Sequence, residues 1–117
     1  MFFVLRRNKK SLDFQSRWQK VEELLKVKRE SALKQALMEA DKLLGLALKE
    51  KRLKGETLGE RLKEAKALFE PNFYQELWEA HKLRNRLVHE DDEILSFQIE
   101  KAVKVFKKAL EKLKFLH

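Results

Sequence analysis

Apolar residues in this chain recur at alternating steps of four and three, and little interrupts them. The 117 residues include one proline and three glycines. A β-rich chain of this length needs many turns, which Gly and Pro commonly make. Leu, Ala, Lys and Glu dominate instead, and all favour helix. The pattern predicts an all-α fold: a single antiparallel bundle of four to five helices.

The period and the punctuation place the elements. A first helix is expected from about Asp13 to Lys28, capped by Ser11 or Asp13, with Phe14, Trp18, Val21 and Leu25 as its stripe. A second is expected from about Ala32 to Arg52, with Ser31 as N-cap and Gly55 as stop. Its stripe is Leu33, Leu37, Ala40, Leu44 and Ala47, widened by Ala36 and Leu43. Gly45 lies inside this helix and costs it up to about 1 kcal/mol in propensity. Thr57 followed by Glu60 reads as a capping box that opens a third helix. Its stripe is Leu58, Leu62, Ala65 and Phe69, and Pro71 should end it. Asn72 is expected to cap a fourth helix from about Phe73 to Val88, and Glu90 to Glu93 to form an acidic turn. Ser96 is expected to cap a fifth helix that carries Ile99, Val103, Phe106, Leu110 and Leu113. Short connectors make neighbouring helices antiparallel, and the four breaks argue against a coiled-coil rod.

Residues 13–117 are therefore read as one bundle, and residues 1–12 as a basic tail or short helical extension. The run Met1-Phe2-Phe3-Val4-Leu5 precedes Arg6-Arg7-Asn8-Lys9-Lys10. Five apolar residues are too few to span a bilayer, which takes about 20. The order also reverses that of a signal peptide. The run does look like the last turn of a membrane anchor, so membrane contact through residues 1–10 stays open. The chain has no cysteine, which excludes disulfides and thiolate chemistry and permits a reducing, cytoplasmic setting. The net charge of +8 suits an acidic partner such as RNA, DNA or an anionic membrane. It is also ordinary for a solvated helical bundle. The basic clusters at residues 26–29, 49–54 and 104–108 carry the same two readings. Trp18 and Trp78 read first as packing anchors and second as base-stacking platforms.

One stretch carries chemistry. His81-Lys82-Leu83-Arg84-Asn85-Arg86-Leu87-Val88-His89 lies near the end of the fourth helix. Arg84 and His89 are five positions apart, about 140° around a straight helix. They can share a site only if the helix ends close to His89. Metal-independent RNA cleavage uses such groups. Histidine can move protons because its ordinary pKa is near 6.5. Arginine offers two oxygens of a phosphate a planar pair of donors. One chain supplies a single histidine of this motif, and a two-fold dimer would supply two. His81 reads as a half-buried polar residue on the Leu77 stripe, or as a second group in the same cleft. A zinc site from His81, His89 and nearby acids lacks the usual spacing, so no metal or cofactor is expected.

The string Arg84-Asn85-x-x-x-His89 resembles the Arg-x(4–6)-His motif of HEPN domains, and the likeness covers roughly residues 13–117. The segments Gly55-Glu56-Thr57-Leu58-Gly59-Glu60-Arg61-Leu62-Lys63 and Leu77-Trp78-Glu79-Ala80-His81-Lys82 resemble a group of bacterial proteins with this motif, some of which carry an N-terminal membrane segment. HEPN proteins are small helical bundles, often dimeric, and many are metal-independent RNases in toxin–antitoxin and defence systems. The resemblance implies that Arg84 and His89 are the catalytic pair and that Asn85 orients the site or contacts phosphate. Lys82, Arg86 and His81 would then touch RNA. It further implies a homodimer and an antitoxin or other protein partner. The tyrosine that follows the histidine in one toxin branch is missing, since Glu90 and Asp91 stand there. Those acids oppose a phosphate backbone. A non-catalytic dimerisation or interaction module, membrane-tethered in some settings, is accordingly the competing expectation.

Overall fold

Helix α2, Glu30–Glu50, packs against every other helix. It can do so because its sequence is apolar around much of its circumference and alternates large with small residues. Leu33, Leu37, Leu43, Leu44 and Leu48 are fully buried, and Ala36, Ala40 and Ala47 between them let neighbouring backbones approach. The computed structural model describes residues 2–89 and 93–117, with the backbone alone for residues 2–12. Within them the chain forms α1 Phe2–Val27, α2, α3 Leu58–Glu64, a 3-10 turn Lys66–Leu68, α4 Pro71–Arg86 and α5 Ser96–Lys112. No strand occurs among the described residues. Two residues join α1 to α2, so the pair forms an antiparallel hairpin. The result is an all-α bundle of five helices, with α1, α3, α4 and α5 around α2.

The stripes of the other helices are where the periodicity puts them, but Val88, expected in the fourth helix, lies past the end of α4 and is exposed, and several helix starts also differ. Helix α1 begins at Phe2, so the extension is helical and neither Ser11 nor Asp13 caps a start. Lys28 takes φ 64 and reverses the chain, so α2 begins at Glu30 with Arg29 as N-cap rather than Ser31. Pro71 does not end α3; it opens α4 as its first residue, ahead of Asn72. A proline lacks the N–H that a first turn leaves unpaired, and its φ suits a helix. Helix α5 starts at Ser96 with Leu95 as N-cap, and the Leu95 N–H donates to Gln98 Oε1 at 2.9 Å. The capping box is present in shifted form. Thr57 Oγ1 accepts from the Glu60 N–H at 3.2 Å, while Glu60 Oε2 accepts from the Glu56 N–H at 3.2 Å. The acidic turn expected at Glu90 to Glu93 falls mostly on residues 90–92, outside the described residues.

Two helix ends use the same closure. After α2, Arg52 takes φ 66 and Leu53 N–H reaches Leu48 O at 3.1 Å. After α5, Lys114 takes φ 68 and Phe115 N–H reaches Leu110 O at 2.9 Å. Each is a left-handed cap that returns an apolar residue to the core. Phe115 packs on Phe14, ring centroids 4.7 Å apart. Arg61 then ties α3 to the end of α2, donating through Nε to Gly55 O and through Nη1 to Gly45 O. Tyr74 Oη donates to Leu62 O at 2.7 Å and holds α4 to α3.

A polar bridge links α1 to α5. Glu22 Oε1 accepts from Trp18 Nε1 at 2.9 Å and from Lys107 Nζ at 3.1 Å. Burial raises the Glu22 pKa, but the hydrogen bonds from Trp18 and Lys107 and the nearby lysine charges outweigh it, and the net direction is down. A carboxyl depressed in the folded state stabilises it above the ordinary glutamate range, near 4.3. That stabilisation should be present at neutral pH and lost as the pH falls below that range. Urea denaturation between about pH 6 and 3 should show a smaller acid loss in Glu22→Gln than in the wild type.

The glycines of this region should respond oppositely to alanine. At Gly45 an added Cβ would meet Arg61 Nη1 and Leu58 Cβ at 3.7 Å, ordinary contact, so Gly45→Ala should stabilise by up to about 1 kcal/mol. Gly55 takes φ 131 and its Cβ would lie 2.7 Å from Glu60 Cβ. Gly55→Ala should cost more than about 1 kcal/mol in the same denaturation assay.

Candidate functional site

The inner face of α4 is apolar through Phe73, Leu77, Ala80 and Leu83, all buried. His81 follows Leu77 by four residues, so it lies on the same side one turn later. There it meets Asp41 of α2, the one buried charged residue among the described residues. Asp41 sits at steps of 4, 3 and 4 among Leu37, Leu44 and Leu48, in the middle of an apolar stripe. A carboxylate in that position needs partners, because burying an unpaired charge is costly.

Its partners come from α4. His81 Nδ1 lies 2.8 Å from Asp41 Oδ2, and Arg84 Nε lies 3.6 Å from Oδ1. The exposures of these side chains rise outward: 8% for Asp41, 12% for His81 and 34% for Arg84. The Arg84 contact is too long for a hydrogen bond, and its Nε is buried without one. Arg84 Nη1 donates weakly to Asn85 Oδ1 at 3.4 Å, and Asn85 Nδ2 lies 3.5 Å from His81 Nε2. Residues 81, 84 and 85 are three and four apart, so a helix gathers them on one face. Trp78 closes one side, edge-on to His81 with centroids 6.0 Å apart. Gly59 of α3 lies over the ring: a Cβ there would stand 3.4 Å from Nε2.

The expected site residues do not all converge here. His81, Arg84 and Asn85 gather around Asp41. Lys82 and Arg86 instead line a groove of about 490 Å³ between α4 and α5, with Glu76, Glu79, Phe97 and Lys101. They are four residues apart and one position round from His81 and Asn85, which turns them by about 100°. His89 is exposed beyond the helix, its N–H bonded to Arg86 O at 3.0 Å. Helix α4 ends at Arg86, so the helix end that an Arg84–His89 pairing requires is present. Trp18 is a core residue at 3% exposure, whereas Trp78 is half-buried between Tyr74 and His81.

Asp41 is the residue that reading the sequence for motifs passes over. Its signal was available: an acid where the period of α2 calls for an apolar side chain. Among the described residues, no group of three or more His, Asp or Glu could hold a metal ion, and no helix is long and apolar enough to cross a membrane. No family model, no curated protein and no solved structure matches this chain.

The two histidines should differ in what their loss does to the fold. His81→Ala strands the Asp41 carboxylate and should lower stability by about 2 kcal/mol or more. His89→Ala removes an exposed side chain and should stay within about 0.5 kcal/mol of the wild type. Urea denaturation at neutral pH checks both, and equal losses would contradict the assigned geometry.

Proposed function

We propose that the protein is a HEPN-type, metal-independent endoribonuclease that acts as a symmetric dimer, of the toxin or defence class, in the cytoplasm. The observation that supports this reading is the cluster at the end of α4. Arg84 and Asn85 stand together beside a buried carboxylate, with an exposed histidine three residues past the helix end. In this reading Arg84 holds the scissile phosphate and stabilises the charge of the phosphorane. His89 transfers protons, and Asn85 positions the phosphate. Lys82, Arg86 and His81 contact the RNA strand. The products are a 2′,3′-cyclic phosphate and a 5′-hydroxyl. A homodimer would bring two such sets to one cleft, and an antitoxin or other protein would restrain them.

A second reading has its own observation. The Arg84 guanidinium leans on Asp41 within its own chain, as it would in a purely structural network. On this reading the domain is a non-catalytic HEPN-like dimerisation or interaction module, membrane-tethered in its natural context.

Purified protein incubated with mixed RNA in EDTA separates the two. The nuclease reading expects cleavage with cyclic-phosphate ends, lost in Arg84→Ala and His89→Ala. Equal background cleavage by the wild type and His89→Ala sinks it. The structural reading expects no cleavage and an Arg84→Ala protein less stable, or less tightly dimeric, by more than about 1 kcal/mol.

A further inference from the structure

One ring nitrogen of His81 is held tightly by Asp41 at 2.8 Å, and the other meets only the Asn85 amide, at a long 3.5 Å. A carboxylate only accepts, so the 2.8 Å contact to Asp41 places the ring proton on Nδ1. In the neutral ring Nε2 then keeps its lone pair. Asp41 is anchored in the core of α2, so the ring is oriented by a buried group. Gly59 is what stands over Nε2, and any larger residue would place a Cβ at 3.4 Å. The other groups around the ring are Trp78, the Asn85 amide 3.5 Å from Nε2, and Arg84 on the same carboxylate. A carboxylate-held imidazole next to a partly exposed guanidinium is an arrangement for proton transfer beside a phosphate.

We propose that His81 is the general base of this site, a catalytic residue rather than an RNA contact, with Asp41 as its positioning residue. The inference rests on the ribonuclease reading and deepens it. Neutral His81 takes the proton of a ribose 2′-hydroxyl through Nε2, and the 2′-oxygen attacks the phosphorus. The bond from phosphorus to the 5′-oxygen breaks, and protonated His89 gives its proton to that oxygen. One proton is removed and one delivered, with no water, metal or oxidant consumed. Each chain then carries one base and one acid, which the dimer of the ribonuclease reading would bring to one cleft. The substrate must carry a 2′-hydroxyl, so the site acts on RNA and not on DNA.

The test uses His81→Asn, whose amide N–H can still face Asp41 while the Nε2 function is gone. Cleavage of RNA in EDTA is compared among the wild type, His81→Asn and His89→Ala, with circular dichroism to follow folding. His81→Asn is expected to be folded and slower by about 10²- to 10⁴-fold. Imidazole added to His81→Ala is expected to restore part of the rate, which a merely structural role would not allow. A His81→Asn rate within about threefold of the wild type, with His89→Ala inactive, overturns His81 as base and leaves the nuclease reading standing. A wild type no more active than His89→Ala overturns both. Should the variants fail to fold, ¹⁵N NMR of the wild-type imidazoles with a non-cleavable 2′-O-methyl dinucleotide decides. The His81 Nε2 signal is expected to shift on binding, and an unchanged signal overturns the proposal.

Discussion

A carboxylate in the apolar face of the central helix is the constraint on which the α2–α4 side of this molecule depends. Asp41 lies on the same stripe of α2 as the buried Leu37, Leu44 and Leu48, and its burial is tolerable only because α4 delivers an imidazole and a guanidinium to its two oxygens. The match also acts on α4. Leu77 and Leu83 drive it onto the bundle through hydrocarbon, which is indifferent to small slides. A hydrogen bond of 2.8 Å is not indifferent, and it sets the register of the two helices. The short α3 completes the arrangement through Arg61 and Tyr74, which tie it to α2 and α4 and hold Gly59 over the histidine.

Structure and chemistry therefore draw on the same atoms. The Asp41–His81 contact that satisfies a buried charge also orients a histidine. The Arg84 contact that shares this charge leaves the arginine side chain one-third exposed, with its Nε buried. Lys82 and Arg86, on the adjoining face, border a groove that also carries Glu76 and Glu79, so the basic character of α4 is confined to patches. The net positive charge of the chain says little about where an anion would sit; the local arrangement of carboxylates and cations does.

Much of the fold was legible because helical period is a local property. The leucine, alanine and valine positions assigned to the stripes of α2 and α5 are buried. Helix starts were less legible. Ser31, Asn72 and Ser96 all have the side chains of good N-caps, and each lies inside its helix by one or two residues. A left-handed Lys28, the proline at position 71 and the reach of Gln98 to the Leu95 N–H decided those boundaries instead. Capping contributes only about 1 kcal/mol, little enough for neighbouring turn geometry to override.

The site divides along the same line. Sequence alone determined that His81, Arg84 and Asn85 share one face of a helix, since spacings of three and four do so wherever the helix sits. It also determined that His89 could join them only past a helix end. It could not say which face of α4 would be covered, or by what. That was decided when α2 packed there and brought in Asp41, 40 residues earlier in the chain. Pairing between distant residues depends on which helices meet and at what register, and no local pattern encodes that. The tertiary structure turned a half-buried histidine into one held by a carboxylate.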